Sequence, residues 1–392
     1  MKIFLVMAFG IMINSCGGVF QGSFLDGHYE DSDEQAMSIY EDAQVVSPEW
    51  LESRGVVVSV SLFKEYQGAD LGKAILDSGV DTLWVMVPSY NMGDLESPEF
   101  RNLRNLVGDD INKVKLVKQK SRGRLTVWAR DWAPLGAKSS EGDLRFIDFN
   151  YYPGREADDS TPQSMGSIEG IDRVSVPVYN EGGNFMNNTL GDCLMTSRVS
   201  DANLLSSRKE DIILDEDQII DYYQRFAGCK KVKIFPRMPF EQTGHIDMWA
   251  KFLNDKTVVV SQLPENIALS YSKELEADMA EKIRDYLDDR ALDIEAMGYE
   301  VRRIPMPEPT LSYKKIFRSY TNSLLLNGTA IIPQYAKFNG RYPYSDSEKI
   351  ASMEAEVMEI YKEYDFNTVY VNSDLMIYKG GAIHCTTMQI PR

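Results

Sequence analysis

The chain has 392 residues, 43% of them hydrophobic, enough for a sizeable core in one large domain or two ordinary ones. Its formal charge of −17 makes a poor surface for phosphate backbones, which argues against nucleic-acid binding. Such a surface can draw in cationic substrates or merely keep the protein soluble.

The first stretch carries Lys2 and then an apolar run from Ile3 to Ile13. The run is too short to span a bilayer and fits the core of a signal peptide. Asn14-Ser15-Cys16-Gly17-Gly18 resembles a bacterial lipobox, so the expectation is a signal peptide over 1–15 and lipid on Cys16. Export to the cell envelope, with membrane contact through the lipid anchor alone, follows from it. An ordinary signal peptide cut elsewhere is the alternative. Residues 16–54 are rich in Gly, Ser, Asp and Glu and predict a flexible tether.

From residue 55 strands and helices alternate to the C-terminus, and no Pro- or Gly-rich linker interrupts them. Strands are expected at Val56–Leu62, Thr82–Val87, Lys113–Val117, Leu125–Ala129, Phe146–Asn150, Val174–Tyr179, Leu194–Ser197 and Lys231–Phe235. Helical patterns cover part of Leu71–Leu76, then Asp215–Phe226, Ser272–Met297 and Ser345–Tyr364, the last capped by Ser345, Asp346 or Ser347. Ile246–Phe252 and Thr257–Ser261 read as a hairpin, and further strands fall near Val301–Ile304, Ser323–Leu326 and Ala330–Pro333. This is one α/β domain over 55–392, large for a single core. No clean sequence repeat divides it.

Four stretches are unusual for plain structure. In Trp128-Ala129-Arg130-Asp131-Trp132 a charged pair stands between tryptophans, a setting that suits a guanidinium, although Arg130 and Asp131 could equally pair with neighbours. Asn180-Glu181-Gly182-Gly183-Asn184 marks a tight turn whose Glu181 either faces a site or braces the backbone. In Gly244-His245-Ile246-Asp247 an extended chain would put His245 and Asp247 on one face. The closing stretch is Gly380-Gly381-Ala382-Ile383-His384-Cys385-Thr386-Thr387-Met388-Gln389-Ile390-Pro391. Its Cys385 is either a nucleophile or a small buried hydrophobe. On a strand His384 would face away from Cys385, and His28 lies in the expected tether. If Cys385 needs an imidazole, His245 remains. Among the four cysteines and three histidines no metal-ligand spacing occurs, so no zinc site is expected.

These stretches, in this order, resemble the agmatine deiminase and bacterial Porphyromonas-type peptidylarginine deiminase family, within the guanidino-group-modifying superfamily. The resemblance runs from about residue 55 to the C-terminus. It implies a five-bladed α/β propeller of ββαβ units with the active site on the pseudo-fivefold axis. It also implies Cys385 as nucleophile, His245 as general acid/base, and Asp131 and Asp247 as binders of the guanidinium. Trp128 matches a pocket wall, and Tyr320-Thr321-Asn322-Ser323 a segment whose Asn322 lies near the cysteine. No metal or organic cofactor is implied.

Two carboxylates can hold a planar guanidinium under the sulfur, and Cys385 attacks as thiolate. The same carboxylates should raise the thiol pKa, so the substrate cation or a His245 imidazolium is expected to promote the thiolate. An exported chain fits arginine in peptides or proteins better than agmatine. Arg155, in Asp148-Phe149-Asn150-Tyr151-Tyr152-Pro153-Gly154-Arg155, could contact a substrate carboxylate, although an arginine pair is not present there. Agmatine deimination to N-carbamoylputrescine, an arginine-binding lipoprotein without turnover, and an amidinotransferase are the alternatives. Cys193 and Cys229 are left as a candidate disulfide, favoured or not by a distance the sequence does not give.

Overall fold

A computed structural model describes residues 43–66, 68–90, 94–139, 141–204, 213–312, 314–335 and 347–392. The expected signal peptide, Cys16, His28 and the helix caps Ser345 and Asp346 lie outside the described residues.

Apolar alternation and helical patterning resolve, among the described residues, into five small sheets built on one recurring theme. Two antiparallel strands are followed by a helical connection and a third strand parallel to the second. Leu135–Ser139 and Leu144–Asn150 begin one such unit, the helix Thr161–Glu169 crosses over, and Arg173–Tyr179 completes it. Met186–Asn187, Asp192–Thr196 and Lys231–Phe235 form the next, joined by the helices Arg198–Leu204 and Glu216–Phe226. Ala250–Phe252, Thr257–Gln262 and Glu300–Pro305 follow, with the helix Glu274–Ala296 between the last two. Leu324–Leu326, Thr329–Gln334 and Asn367–Asn372 repeat the arrangement around the helix Ser347–Glu363. The fifth unit joins the two ends of the body. Met388–Pro391 lies antiparallel on Ser53–Ser59, and Thr82–Val87 and Val114–Lys118 extend that sheet in parallel.

Local chemistry explains the elements. The Asp215 carboxylate accepts from the Gln218 backbone N–H, and the Gln218 side chain accepts from the Asp215 N–H, a reciprocal cap that starts Glu216–Phe226. Along Glu274–Ala296, Ala280, Ile283, Leu287, Ala291 and Ile294 recur at three- and four-residue spacing and join the buried core that includes the valines of Thr257–Gln262. Thr82–Val87 is buried at all six positions, as expected of a parallel strand covered on both faces. Cys193, on the strand Asp192–Thr196, forms a disulfide with Cys229 in the loop just before Lys231–Phe235, with Cα atoms 5.7 Å apart.

Two expectations need correction. The folded body starts before residue 55: Ala43–Val46 pairs with Leu135–Ser139, and Trp50 packs against Phe252 with ring centroids 6.1 Å apart. Composition hid this because buried Val46 and one tryptophan anchor an otherwise polar segment. Leu125–Ala129 is not a strand; the chain enters a short helical turn, Ala129–Trp132, instead. Asn367–Asn372 was not anticipated, since five of its six positions are at least partly exposed and half of its side chains are polar.

Candidate active site

Each unit places one turn immediately before its first strand, and those five turns supply the site. The helical turn Ala129–Trp132 presents Asp131 ahead of Leu135–Ser139. The 3-10 turn Gly182–Asn184, with Glu181 at its start, precedes Met186–Asn187. His245 and the 3-10 turn Ile246–Met248 carry His245 and Asp247 ahead of Ala250–Phe252. Asn322 sits two residues before Leu324–Leu326, and Cys385 lies in the 3-10 turn His384–Thr386 before Met388–Pro391. His245 and Asp247 therefore converge from a 3-10 turn, not from the extended segment expected. His384 and Cys385 likewise lie on a turn, so strand alternation does not govern them.

Trp128, Asp131, Tyr151, Glu181, His245 and Cys385 line a common cavity of about 250 Å³. Asp247 forms its back: its Oδ2 lies 3.7 Å from Cys385 Sγ. Two glycines give the cavity room. A Cβ on Gly183 would stand 2.6 Å from His245 Nδ1 and 3.1 Å from both Asp131 Oδ1 and Asp247 Oδ2. A Cβ on Gly381 would stand 2.7 Å from Cys385 Sγ and 2.9 Å from the Trp128 ring. Both glycines are required for close approach, and neither adopts a positive φ.

Asn322 bridges the sulfur and the carboxylate. Its Nδ2 lies 3.1 Å from Cys385 Sγ and 3.0 Å from Asp247 Oδ2, while its Oδ1 accepts from the Ala382 N–H at 3.0 Å. Asp247 Oδ2 also takes the His384 Nδ1 contact at 2.7 Å. Asp247 Oδ1 is buried and has no hydrogen-bond partner among the described residues. An unpaired buried carboxylate oxygen is costly, and an incoming N–H donor relieves that cost.

His245 stands between two acids, with Nδ1 3.8 Å from Asp131 Oδ1 and Nε2 3.1 Å from Glu181 Oε2. Burial opposes its charge, but Asp131 and Glu181 outweigh burial and hold its pKa up at about 10. Glu181 is lowered to about 2 despite burial, because His245 and Arg198 face it. Arg198 Nε lies 2.7 Å away, so Glu181 lines the cavity with a carboxylate already engaged on both sides. Burial pushes Asp131 up to about 7, with Glu181 and Asp247 adding to it and His245 pulling the other way. Burial, then Asp247 and Asp131, raise the Cys385 thiol well above its ordinary range, which is the tension the sequence predicted.

Arg155 reaches the cavity mouth, but its guanidinium is held 2.5 Å from Asp158 and 2.9 Å from Thr126 Oγ1. Lys315 and Lys379 stand at the same mouth. Asp131, Glu181 and His245 also bring ligand-type atoms within 4.8 Å of one another, a donor set metal ions use. Arg198 already neutralises Glu181 there, and we assign no ion to it.

Sequence reasoning missed Glu49, Arg130, Lys251 and the part played by His384. Glu49 Oε2 lies 2.6 Å from Lys251 Nζ, its Oε1 lies 3.0 Å from Arg130 Nη1, and Oε1 also contacts His384 Nε2. No signal in the polar stretch around Glu49 marks it. Arg130 carried a signal, its place beside Asp131, but its partner is 81 residues back along the chain.

Comparison with known proteins agrees with this geometry. The family described as Porphyromonas-type peptidyl-arginine deiminase matches residues 85–391. A provisionally named agmatine deiminase of Latilactobacillus sakei is 27% identical over 323 residues, covering 75% of this chain and 81% of its own. The structure of C. jejuni agmatine deiminase superposes with a TM-score of 0.65 at 16% identity, over 89% of this chain and 96% of that one. An agmatine deiminase of Enterococcus faecalis gives 0.66 at 19% identity, over 90% and 96%. At such identity the superpositions establish the shared α/β fold.

Proposed function

The chain belongs to the Porphyromonas-type peptidyl-arginine deiminase family, whose chemistry is hydrolysis of a guanidino C–N bond, and we propose that it converts arginine in peptides or proteins to citrulline. The observation that carries this reading is one cavity shared by Cys385, His245 and Asp131, with Asp247 directly behind the sulfur. We read the five repeated units as blades of a propeller whose axis runs through that cavity; the five site turns, one per sheet, support it.

The guanidinium enters with its planar face towards Cys385 and its N–H groups on Asp131 and Asp247. Its positive charge offsets the two carboxylates, lowers the cost of the thiolate and supplies the donor that Asp247 Oδ1 lacks. Sγ attacks the central carbon, forming an S–C bond. His245, an imidazolium below about pH 10, gives its proton to the departing nitrogen, and ammonia leaves. The resulting thiouronium takes up water, whose proton returns to the now neutral His245. The S–C bond breaks, the thiolate is restored and the ureido product departs. The hydroxyl proton of the adduct is lost as the S–C bond breaks and ends on the ammonia, so one guanidinium and one water are consumed and one neutral ureido product and one ammonium are released.

Charge at the mouth favours the peptide substrate. Lys315 and Lys379 would repel the second ammonium of agmatine, whereas a peptide backbone is neutral there and a free carboxylate is attracted. Agmatine stays as the second reading, because the sequence relatives carry that name. We further propose export with a lipid on Cys16; the Cys193–Cys229 disulfide, of a kind that persists in oxidising compartments, supports it. Ureido formation from an arginine peptide, free arginine and agmatine, measured side by side for wild type and Cys385→Ala, tests the function. Peptide turnover lost in the variant is expected; a strong agmatine preference would overturn the substrate, and binding without product the enzyme.

A further inference from the structure

The segment before the strand Ser53–Ser59 lies outside the stretch matched by the family, yet it reaches the back of the active site. It is pinned on both sides of Glu49. The Val46 N–H donates to Ala227 O at 3.0 Å, the Ser47 N–H donates to Gly136 O at 3.0 Å, and Trp50 packs on Phe252. Between those anchors Glu49 turns inward. Its Oε1 meets His384 Nε2 and lies 3.0 Å from Arg130 Nη1; its Oε2 lies 2.6 Å from Lys251 Nζ. On the other side of the same ring, His384 Nδ1 lies 2.7 Å from Asp247 Oδ2. Both His384 and Asp247 are buried, and Arg130 is too.

Each ring nitrogen of His384 therefore faces a carboxylate oxygen, one from Glu49 and one from Asp247. The imidazole is thereby clamped from two sides and has no freedom to turn. Its Nδ1, together with Asn322 Nδ2 at 3.0 Å, engages Asp247 Oδ2 and fixes the carboxylate plane. The other oxygen, Oδ1, is left unpaired. His384 is thus no base for Cys385; it stands behind the acid that receives the substrate.

We propose that Glu49 is a positioning residue for this site, acting through His384 to hold Asp247 for the guanidinium, so that the N-terminal segment is part of the substrate-binding machinery. The inference rests on the deiminase reading only for the identity of the cation. Glu49 touches no reacting atom. It neutralises Lys251 and Arg130, and with His384 it forms a chain of contacts from the outer segment to Asp247. Losing its charge leaves Arg130 and Lys251 without their anion and frees the His384 ring, and the Asp247 plane with it. Loss of a partner that orients a ligand-binding side chain through hydrogen bonds typically changes affinity or activity about 10- to 100-fold.

The test uses the full chain. Glu49→Gln keeps shape and hydrogen-bonding capacity but removes charge; Glu49→Asp keeps charge at shorter reach. The expected result is a KM for an arginine peptide raised about 10-fold or more in Glu49→Gln, with a smaller loss in kcat and partial recovery in Glu49→Asp. Calorimetric binding of arginine amide to Cys385→Ser protein should weaken by a similar factor when Glu49→Gln is added. In a His384→Gln background, Glu49→Gln should cost little more, because the effect passes through that ring. Unchanged KM and arginine-amide affinity, or a Glu49→Gln loss that adds in full to that of His384→Gln, would overturn the proposal. Intact arginine-amide binding with no ureido product from the wild type would sink the deiminase reading alone, and the binding comparison would still decide on Glu49.

Discussion

Asn322 holds its amide 3.1 Å from the sulfur of Cys385, on a turn contributed by a different sheet from the one that carries the cysteine. The donor sits where a thiolate would need it, and a hydrogen bond to a charged group contributes about 1.5–3 kcal/mol. Asn322→Ala should therefore lower kcat/KM by about 10- to 100-fold through kcat, with a smaller change in KM, in steady-state assays with an arginine peptide. Wild-type kinetics in that variant would show that Asn322 only braces the loop.

Cys385 should be a sluggish nucleophile until a cation arrives. Burial and the Asp247 and Asp131 carboxylates hold its thiol well above the ordinary range, so little thiolate exists at neutral pH. Iodoacetamide labelling of Cys385, read by peptide mass, should be slow at pH 7, rise with pH, and accelerate at pH 7 when a guanidinium compound too small to block the cavity is added. Equal rates with and without that compound would refute substrate-assisted activation.

The alkaline side of stability should follow His245. Its folded pKa of about 10 exceeds the unfolded value of about 6.5, so its contribution is complete below about 6.5 and disappears as pH rises through about 10. Urea midpoints should fall across that window, and His245→Gln should flatten the fall while abolishing turnover. A midpoint that stays level between pH 6.5 and 10 would contradict the assignment of His245 as an imidazolium.

Gly183 offers a probe of the cavity itself. Alanine there would put a methyl group 2.6 Å from His245 Nδ1 and 3.1 Å from each of two acids. Gly183→Ala should depress peptide deimination at least about 10-fold through crowding of the reacting groups, as small misplacements do. Activity within a factor of two would mean that the guanidinium lies elsewhere.

Removal of the Cys193–Cys229 disulfide should affect stability and spare chemistry. The bond spans 36 residues, for which loop-closure entropy gives about 4 kcal/mol. The paired Cys193→Ser, Cys229→Ser variant should unfold at lower denaturant yet retain kcat at temperatures where it stays folded. Loss of kcat in the folded variant would tie the bond to the site.

The periodic elements could be read in the linear chain because their signals are local. Thr82–Val87 and Lys231–Phe235 show unbroken or alternating apolar runs, and Asp215 with Gln218 announces a helix start. The chemistry could be read as well, since scarcity of histidine and cysteine left few candidates and the Trp128–Trp132, Gly182-Gly183, His245–Asp247 and His384-Cys385 stretches stand out by composition. Their geometry could not. His245 lines the cavity and Asp247 stands behind the Cys385 sulfur, both from a 3-10 turn, where a period of two does not apply. Glu49 looked like one more acid in a polar segment, and nothing near it in the chain distinguishes it. Its three partners, Arg130, Lys251 and His384, lie 81, 202 and 335 residues further on. Sequence thus determined which side chains are candidates for chemistry and where most of the strands and helices lie. Only the closure of five sheets, which brings residues remote along the chain within hydrogen-bond reach, decided which of them meet.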